Sequence, residues 1–291
     1  MNIQIEKCKV LIELVENLDS SKIYSVNKSK YGEMLNRIVL LSSGSKIYSD
    51  YKLERDEYNI GSNVRKKLLL ALVKTKIDSF SFKKIKKNMV FYGVDLSNNN
   101  LQFLNLDGID LRYANLSCTN MVRINLDSAN LNGANISRAN LDRVSLVEAN
   151  LISSNLNGVC INEVNLKGAK LDSSNLSYIN INNSNLENSS FIQSNLNNSM
   201  LYNSNLSSCL FMSTNLINAV FTNSTLYNID IYNSSLGSAL FENVVVKNNL
   251  KGQLFEKNNV GLDTLFSKYI IICELSSFSD SILCRFKINE R

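Results

Sequence analysis

The side chains in this chain that could do chemistry are its cysteines and carboxylates, because it contains no histidine. That one absence removes Ser-His-Asp and Cys-His catalysis, imidazole metal ligands and a histidine general base. The six cysteines, Cys8, Cys118, Cys160, Cys209, Cys273 and Cys284, are scattered without CxxC spacing, so they outline no metal site. Nor do they read as a disulfide framework in a chain of this size, and a reducing compartment fits them best. The remaining concentration of chemistry is positive charge: Lys83, Lys84, Lys86 and Lys87 flank Ile85 in one short tract. It reads as a solvated linker or as a contact to an anionic membrane surface. No zinc-finger, RRM or helix-turn-helix pattern and no interleaved aromatics accompany it, which argues against nucleic acid. No metal or cofactor is implied.

The net charge of +5 is unevenly divided. Residues 1–90 carry 18 Lys and Arg against 10 Asp and Glu, residues 91–246 carry 6 against 11, and residues 247–291 carry 7 against 5. The apolar clusters Leu68–Val73 and Tyr269–Cys273 fall far short of the roughly 20 residues that a membrane-spanning helix needs. Glu6, Lys7, Lys9, Glu13 and Glu16 interrupt any apolar core of a signal peptide in Met1–Leu18. The expected location is the cytoplasm, or a host cell reached through a specialised secretion system.

What must position any functional side chain is a repeat. From Phe91 to Val246 every fifth residue is large and apolar, giving 32 positions of which none is polar: Leu96, Leu101, Leu106, Leu111, Leu116, Met121 and so on to Phe241 and Val246. Two residues earlier a small residue recurs, as at Ala114, Ala129, Ala139, Ser154, Ser184 and Ser204, and Asn or Asp usually stands between the two. A period of five matches neither the 3.6 of a helix nor the 2 of a strand, so those elements would smear the leucines around their surface. A coil with one corner per five residues keeps them all inside.

Ala129-Asn130-Leu131-Asn132-Gly133 and Ala139-Asn140-Leu141-Asp142-Arg143 resemble consensus pentapeptide repeats. The resemblance implies a mainly β fold, a right-handed quadrilateral β-helix of about eight 20-residue coils, roughly 38 Å long at the usual inter-strand spacing. The sequence supports a 20-residue coil independently. Large residues recur at the small position at Leu104, Ile124, Val144 and Val164, and Phe191 with Phe211 and Phe221 with Phe241 pair at the same spacing, which predicts stacked rings. No proline interrupts the phase, so the coils are expected to form one continuous stack whose two ends need caps.

The domains expected are a small α+β domain over 1–90, the β-helix over 91–246, and a capping or dimerising segment over 247–291. In the first, Ile3, Ile5, Cys8, Leu11, Leu14, Val15 and Leu18 fit one helix face, 38–41 a strand, and Val64–Ile77 a second helix. In the last, Leu262–Cys273 and Ile282–Ile288 would cap the final coil or pair with a second copy as a homodimer.

The later coils carry two candidate partner surfaces at 20-residue spacing: Met200, Val220 and Leu240 before the central residue, and Ile192, Met212 and Tyr232 after it. The alternative reading is that they are covered or singly tolerated. Some ubiquitin ligases of the HECT-like kind place a pentapeptide β-helix before catalytic lobes, which would make Cys273 or Cys284 a nucleophile, but the 45 residues after Val246 are too few for such lobes. Asp107 and Asp127 are expected to face solvent, with nothing to shift their acidity.

The expected function is therefore a non-enzymatic, protein-binding scaffold. A domain of about 90 residues running into repeats, with Ile23-Tyr24-Ser25-Val26-Asn27-Lys28, loosely resembles type III secreted effectors of the PipB kind, which implies action on host proteins or membranes. Two alternatives stand beside it. One is a DNA-mimicking, topoisomerase-protecting protein like the quinolone-resistance members of the family, for which four arginines on the early coils are poorly suited. The other is an intracellular interaction module of unknown pathway.

Overall fold

The computed structural model describes residues 91–246 and 259–261 with their side chains, the backbone of 269–275 and 282–288, and three residues of an earlier helix, Lys66, Leu69 and Leu70. The remaining elements expected for 1–90, and Lys83, Lys84, Lys86 and Lys87, lie outside the described residues. The chain divides into two compact units, Met1–Leu96 with Gly108–Asn115 and Ser97–Asp107 with Leu116–Arg291.

In both units the central residues do what their spacing demands. All 32 positions from Phe91 to Val246 are buried, none more than 2% exposed. Burying a large apolar side chain in full stabilises by about 1.5–3 kcal/mol. The residue two places earlier is inward and buried too, except at the start, where Asn99 and Leu104 are half-buried.

At many corners the N–H of the small residue donates to the carbonyl of the preceding central residue, as from Ala129 to Leu126 at 3.0 Å and from Ala149 to Leu146 at 3.1 Å. At Val164, Ser184, Ser204 and Thr214 that N–H donates instead to a serine hydroxyl of the next coil. The residue just before the small position adopts a left-handed backbone at every corner from Gly93 to Gly108, Gly133, Arg138, Glu148, Tyr178 and on to Asn243. Glycine accepts that conformation freely and asparagine more readily than most.

Successive coils then pair in parallel at a step of 20. In the first unit Asp95 bridges Asn115, with Leu96 N–H donating to Asn115 O at 2.8 Å. In the second unit four such ladders run through positions 100, 105, 130 and 135 and their successors. Where the ladders regularise, three-residue strands appear: β1 (Cys160–Asn162), β2 (Asn180–Asn182), β3 (Met200–Tyr202), β4 (Leu210–Met212), β5 (Val220–Thr222), β6 (Asp230–Tyr232), β7 (Leu240–Glu242) and β8 (Val244–Val246). One parallel sheet has the order β1-β2-β3-β5-β7, and β4 pairs with β6. The described repeat region is thus a mainly β, parallel solenoid.

The interior is aromatic where the sequence predicted it. Phe191 and Phe211 stack at 5.0 Å between centroids, Phe221 and Phe241 at 4.9 Å, and Phe211 meets Phe221 edge-on at 6.1 Å. Serines line two inner ladders instead. Val164 N–H donates to Ser184 Oγ, Ser184 N–H to Ser204 Oγ and Ser204 N–H to Ser224 Oγ, at 3.1, 3.2 and 3.2 Å. Each hydroxyl satisfies an amide that would otherwise be buried without a partner.

Among the described residues after Val246, the parallel pairing returns at Val260. Val260 bridges Ser235, 25 residues earlier, and Leu236 N–H donates to Val260 O at 2.7 Å. Beside it, β10 (Ile282–Ile288) pairs antiparallel with β8 through Ile282 to Val246, Leu283 to Val245 and Cys284 to Val244, and with β9 (Tyr269–Leu275) along its whole length. Backbone groups at the edge of the last coil are thereby bonded.

Candidate functional site

The polar surface is organised by the Asn before each central residue. Its Oδ1 accepts the N–H two residues on, as from Asn157 to Asn155 at 3.1 Å and from Asn197 to Asn195 at 3.1 Å, which fixes the corner. Its Nδ2 donates down the stack: Asn155 to Asn135 at 3.2 Å, Asn175 to Asn155 at 3.2 Å, Asn195 to Asn175 at 3.5 Å and Asn215 to Asn195 at 3.1 Å.

At Ser145 and Ser190, which stand in place of that Asn, a carboxylate from the coil below takes over. Asp127 Oδ1 accepts from Ser145 Oγ at 2.5 Å and from Val147 N–H at 2.9 Å, and Asp172 does the same for Ser190 and Ile192. Asp127 is therefore half-buried and hydrogen-bonded, not the free solvent-facing carboxylate that its spacing from Asp107 predicted. Its neighbours explain a structural role.

Vertical ion pairs link successive coils elsewhere. Arg143 Nε meets Glu163 Oε2 at 2.8 Å and Lys167 Nζ meets Glu187 Oε2 at 3.1 Å. Arg143 raises its own pKa through the hydrogen bond to Glu163 and holds the Glu163 carboxyl below the usual range. In the first unit, Arg112 is clamped by Asp110 and lies 6.0 Å from the Tyr92 ring. Exposed pairs of this kind contribute little stability.

Cysteine chemistry is divided sharply. Cys118 and Cys160 are free and exposed, and Cys209 is free and buried. Burial pushes the Cys209 thiol from 9.0 up to about 12, and its S–H donates to Leu186 O at 3.0 Å. Among the described residues no group of three or more Asp, Glu or Cys could hold a metal ion, and no helix is long and apolar enough to cross a membrane.

The two apolar stripes are real ladders. Met200 registers with Val220 and Val220 with Leu240 across β3, β5 and β7. Met200 is 43% exposed, and the other two are half-buried. Met212 registers with Tyr232 across β4 and β6, and Ser190 bridges Leu210, which brings Ile192 beneath Met212. Tyr232 is exposed, Ile192 and Met212 are half-buried, and the exposed Leu210 joins them. The structure does not bring the two stripes together. Eight residues separate them in one direction and twelve in the other within a coil of 20, so two corners intervene either way. Both stripes are unbroken over three rungs, and each has a carboxylate in the neighbouring column, Asp230 across from Leu210 and Glu242 across from Thr222.

Parallel coils that step by 20 residues, with corners fixed by asparagine, define a repeat-type β-solenoid. A pentapeptide-repeat model matches residues 90–127, 129–168 and 169–207 in eight copies. Those residues are pentapeptide repeats of that family. No curated protein matches it in sequence.

Among solved structures, HetL, a pentapeptide repeat protein involved in heterocyst differentiation regulation in the cyanobacterium Nostoc sp. strain PCC 7120, is 22% identical. The match covers 53% of this chain and 78% of HetL, with a TM-score of 0.32. QnrB1, a plasmid-mediated fluoroquinolone resistance protein, is 16% identical over 60% of this chain and 97% of its own, with a TM-score of 0.37. Rfr23, a pentapeptide repeat protein of the cyanobacterium Cyanothece 51142, is 18% identical over 52% and 90%, with a TM-score of 0.21. At such scores the fold rests on the register described above.

Proposed function

We propose that this chain is a non-enzymatic scaffold that binds a partner protein through the stripe of Met200, Val220 and Leu240. The observation that carries the reading is that three apolar side chains stand in register on successive rungs of a parallel sheet whose Cα positions the interior holds fixed. A pre-ordered apolar row costs little conformational entropy on binding. Solvent-facing apolar patches of this kind mark partner surfaces.

The finer reading is a bacterial effector acting in a host cell. It is supported by the loose resemblance of residues 23–28 and of the domain order alone. Both are tested together by proximity labelling in host cells, comparing wild type with the variant Met200→Asp/Val220→Asp/Leu240→Asp after circular dichroism shows both folded. Specific host proteins lost from the variant support the stripe and the effector role; identical protein sets contradict the stripe.

A further inference from the structure

The face built on Asn135, Asn155, Asn175, Asn195, Asn215 and Ser235 differs from the rest of the repeat. Over its six rungs, 133–138, 153–158, 173–178, 193–198, 213–218 and 233–238, Arg138 is the sole charged residue. Apart from Tyr178 and the exposed Ile217, the rest is amide, hydroxyl and glycine around the buried residues, with the amides locked into the ladder already described.

At one corner of this face stands a column of Arg138, Gly158, Tyr178, Asn198 and Asn218, one per coil. Arg138 is exposed and has no ion pair among the described residues. Tyr178 is 63% exposed. Between them, Gly158 (φ +65°) has open space where a side chain would stand: nothing lies within 4 Å of a Cβ placed there. Arg138 and Tyr178 are thus separated by two coil rises, about 9–10 Å, with an empty rung between. Asn157 borders that gap, its amide held by Ser177 O at 3.0 Å and Ser177 Oγ at 2.7 Å. Above Tyr178, Asn218 Nδ2 fixes Asn198 by donating to its Oδ1 at 3.0 Å.

We infer that this corner binds an acidic oligosaccharide. A sugar ring stacks its C–H face on Tyr178, a uronate carboxylate on a neighbouring sugar meets the Arg138 guanidinium, and the Asn157 and Asn198 amides take hydroxyls. Tyr offers a flat apolar ring with a polar tip, and Arg pairs with a planar carboxylate through two parallel hydrogen bonds. The empty rung leaves room for the linkage between the two sugars. A nucleic acid is disfavoured, because a phosphate chain is held by several cations and this face has one. A protein partner is disfavoured too, because the exposed apolar side chains of this face, Tyr178 and Ile217, stand singly among amides and hydroxyls, unlike the apolar stripe. The inference does not depend on that stripe.

The chain contains no tryptophan, so Tyr178→Trp places a single indole at the corner while keeping an aromatic platform. The full chain carrying that change is titrated with a galacturonate tetrasaccharide, with cellotetraose and with a short single-stranded DNA, following indole fluorescence. Calorimetry on wild type runs in parallel. Saturable binding of the uronate is expected, about tenfold or more tighter than of the neutral sugar, as befits a charge-assisted pair. Adding Arg138→Gln should bring the uronate down to the level of cellotetraose, Tyr178→Ala should abolish binding of both, and Met200→Asp should change neither. Far-UV circular dichroism confirms that each variant is folded. No saturable uronate binding, equal affinity in the Arg138→Gln variant, or tighter binding of DNA overturns the inference.

Discussion

The backbone N–H of Ser234 donates to Oδ1 of Asn259 at 2.9 Å, across 25 residues of chain where the coils below it step by 20. Asn259 Nδ2 in turn donates to Ile231 O at 3.1 Å, so one amide replaces the serine that continues this ladder lower down, where Thr214 N–H donates to Ser234 Oγ at 3.0 Å. Two residues on, Gly261 lies so close to the coil below that a Cβ on it would sit 2.5 Å from Gly237 N and 2.8 Å from Gly237 Cα.

This clip should be needed for the last coil. Asn259→Ala leaves a buried donor and acceptor unpaired and should cost about 1–3 kcal/mol. Gly261→Ala meets both the Gly237 backbone and a left-handed φ of +82°, and should cost at least about 2 kcal/mol. Urea denaturation gives the totals. Hydrogen exchange should show amide protection lost first at Ser234–Leu236, while Leu126–Leu146 stays protected.

The inner serines should separate into two kinds. Ser204 Oγ both accepts from Ser184 N–H at 3.2 Å and donates to Tyr202 O at 2.7 Å, whereas Ser199 Oγ is buried without a partner. Ser204→Ala should therefore destabilise by about 1–3 kcal/mol, and Ser199→Ala should be neutral or stabilising by up to about 1 kcal/mol. Chemical denaturation of the two variants side by side checks the contrast.

Cys209 should be chemically silent. Its folded pKa, about 12, lies above the ordinary 9.0, so burial of the neutral thiol contributes stability that is complete below pH 9.0 and is lost as pH rises toward 12. In the native chain iodoacetamide should modify Cys118 and Cys160 within minutes and spare Cys209 until the chain is unfolded, as read by peptide mass mapping. The Cys209→Ala variant should lose less stability than wild type between pH 9.0 and pH 11.

Most of the fold was legible because one feature repeats. The inward residue is apolar at 32 consecutive fifth positions, and period alone is enough to place it inside. The phenylalanine stacks followed from the same arithmetic at a step of 20. The left-handed corners were written in the sequence too, as Gly93, Gly108, Gly133, Gly158, Gly168 and many Asn in one phase, but Phe103, Arg123 and Glu148 share that phase and mask it. The clip was not legible. Its spacing of 25 hides Asn259 and Gly261 behind an extra pentapeptide length, and nothing local marks Asn259 as a substitute for serine.

The surface was legible only in part. Spacing identified both apolar stripes and put them on different faces, but not that the exposed Leu210 joins one of them. The neutral face went unread because charge was counted along the chain and not around the coil. Asp127 was misread for a related reason: its partners Ser145 and Val147 lie on the next coil, 18 and 20 residues away.

The most direct test of the solenoid as a scaffold makes one change at two adjacent apolar residues. Leu151 is fully buried, whereas Ile152 is half-buried and shares its column with Asn132. Thermal and urea unfolding of Leu151→Asn and Ile152→Asn would be compared with wild type. Leu151→Asn should lose about 3 kcal/mol or more, from the lost burial and an unpaired amide, and Ile152→Asn less than about 1 kcal/mol. Equal stability of the two variants would contradict a coil that turns one corner every five residues.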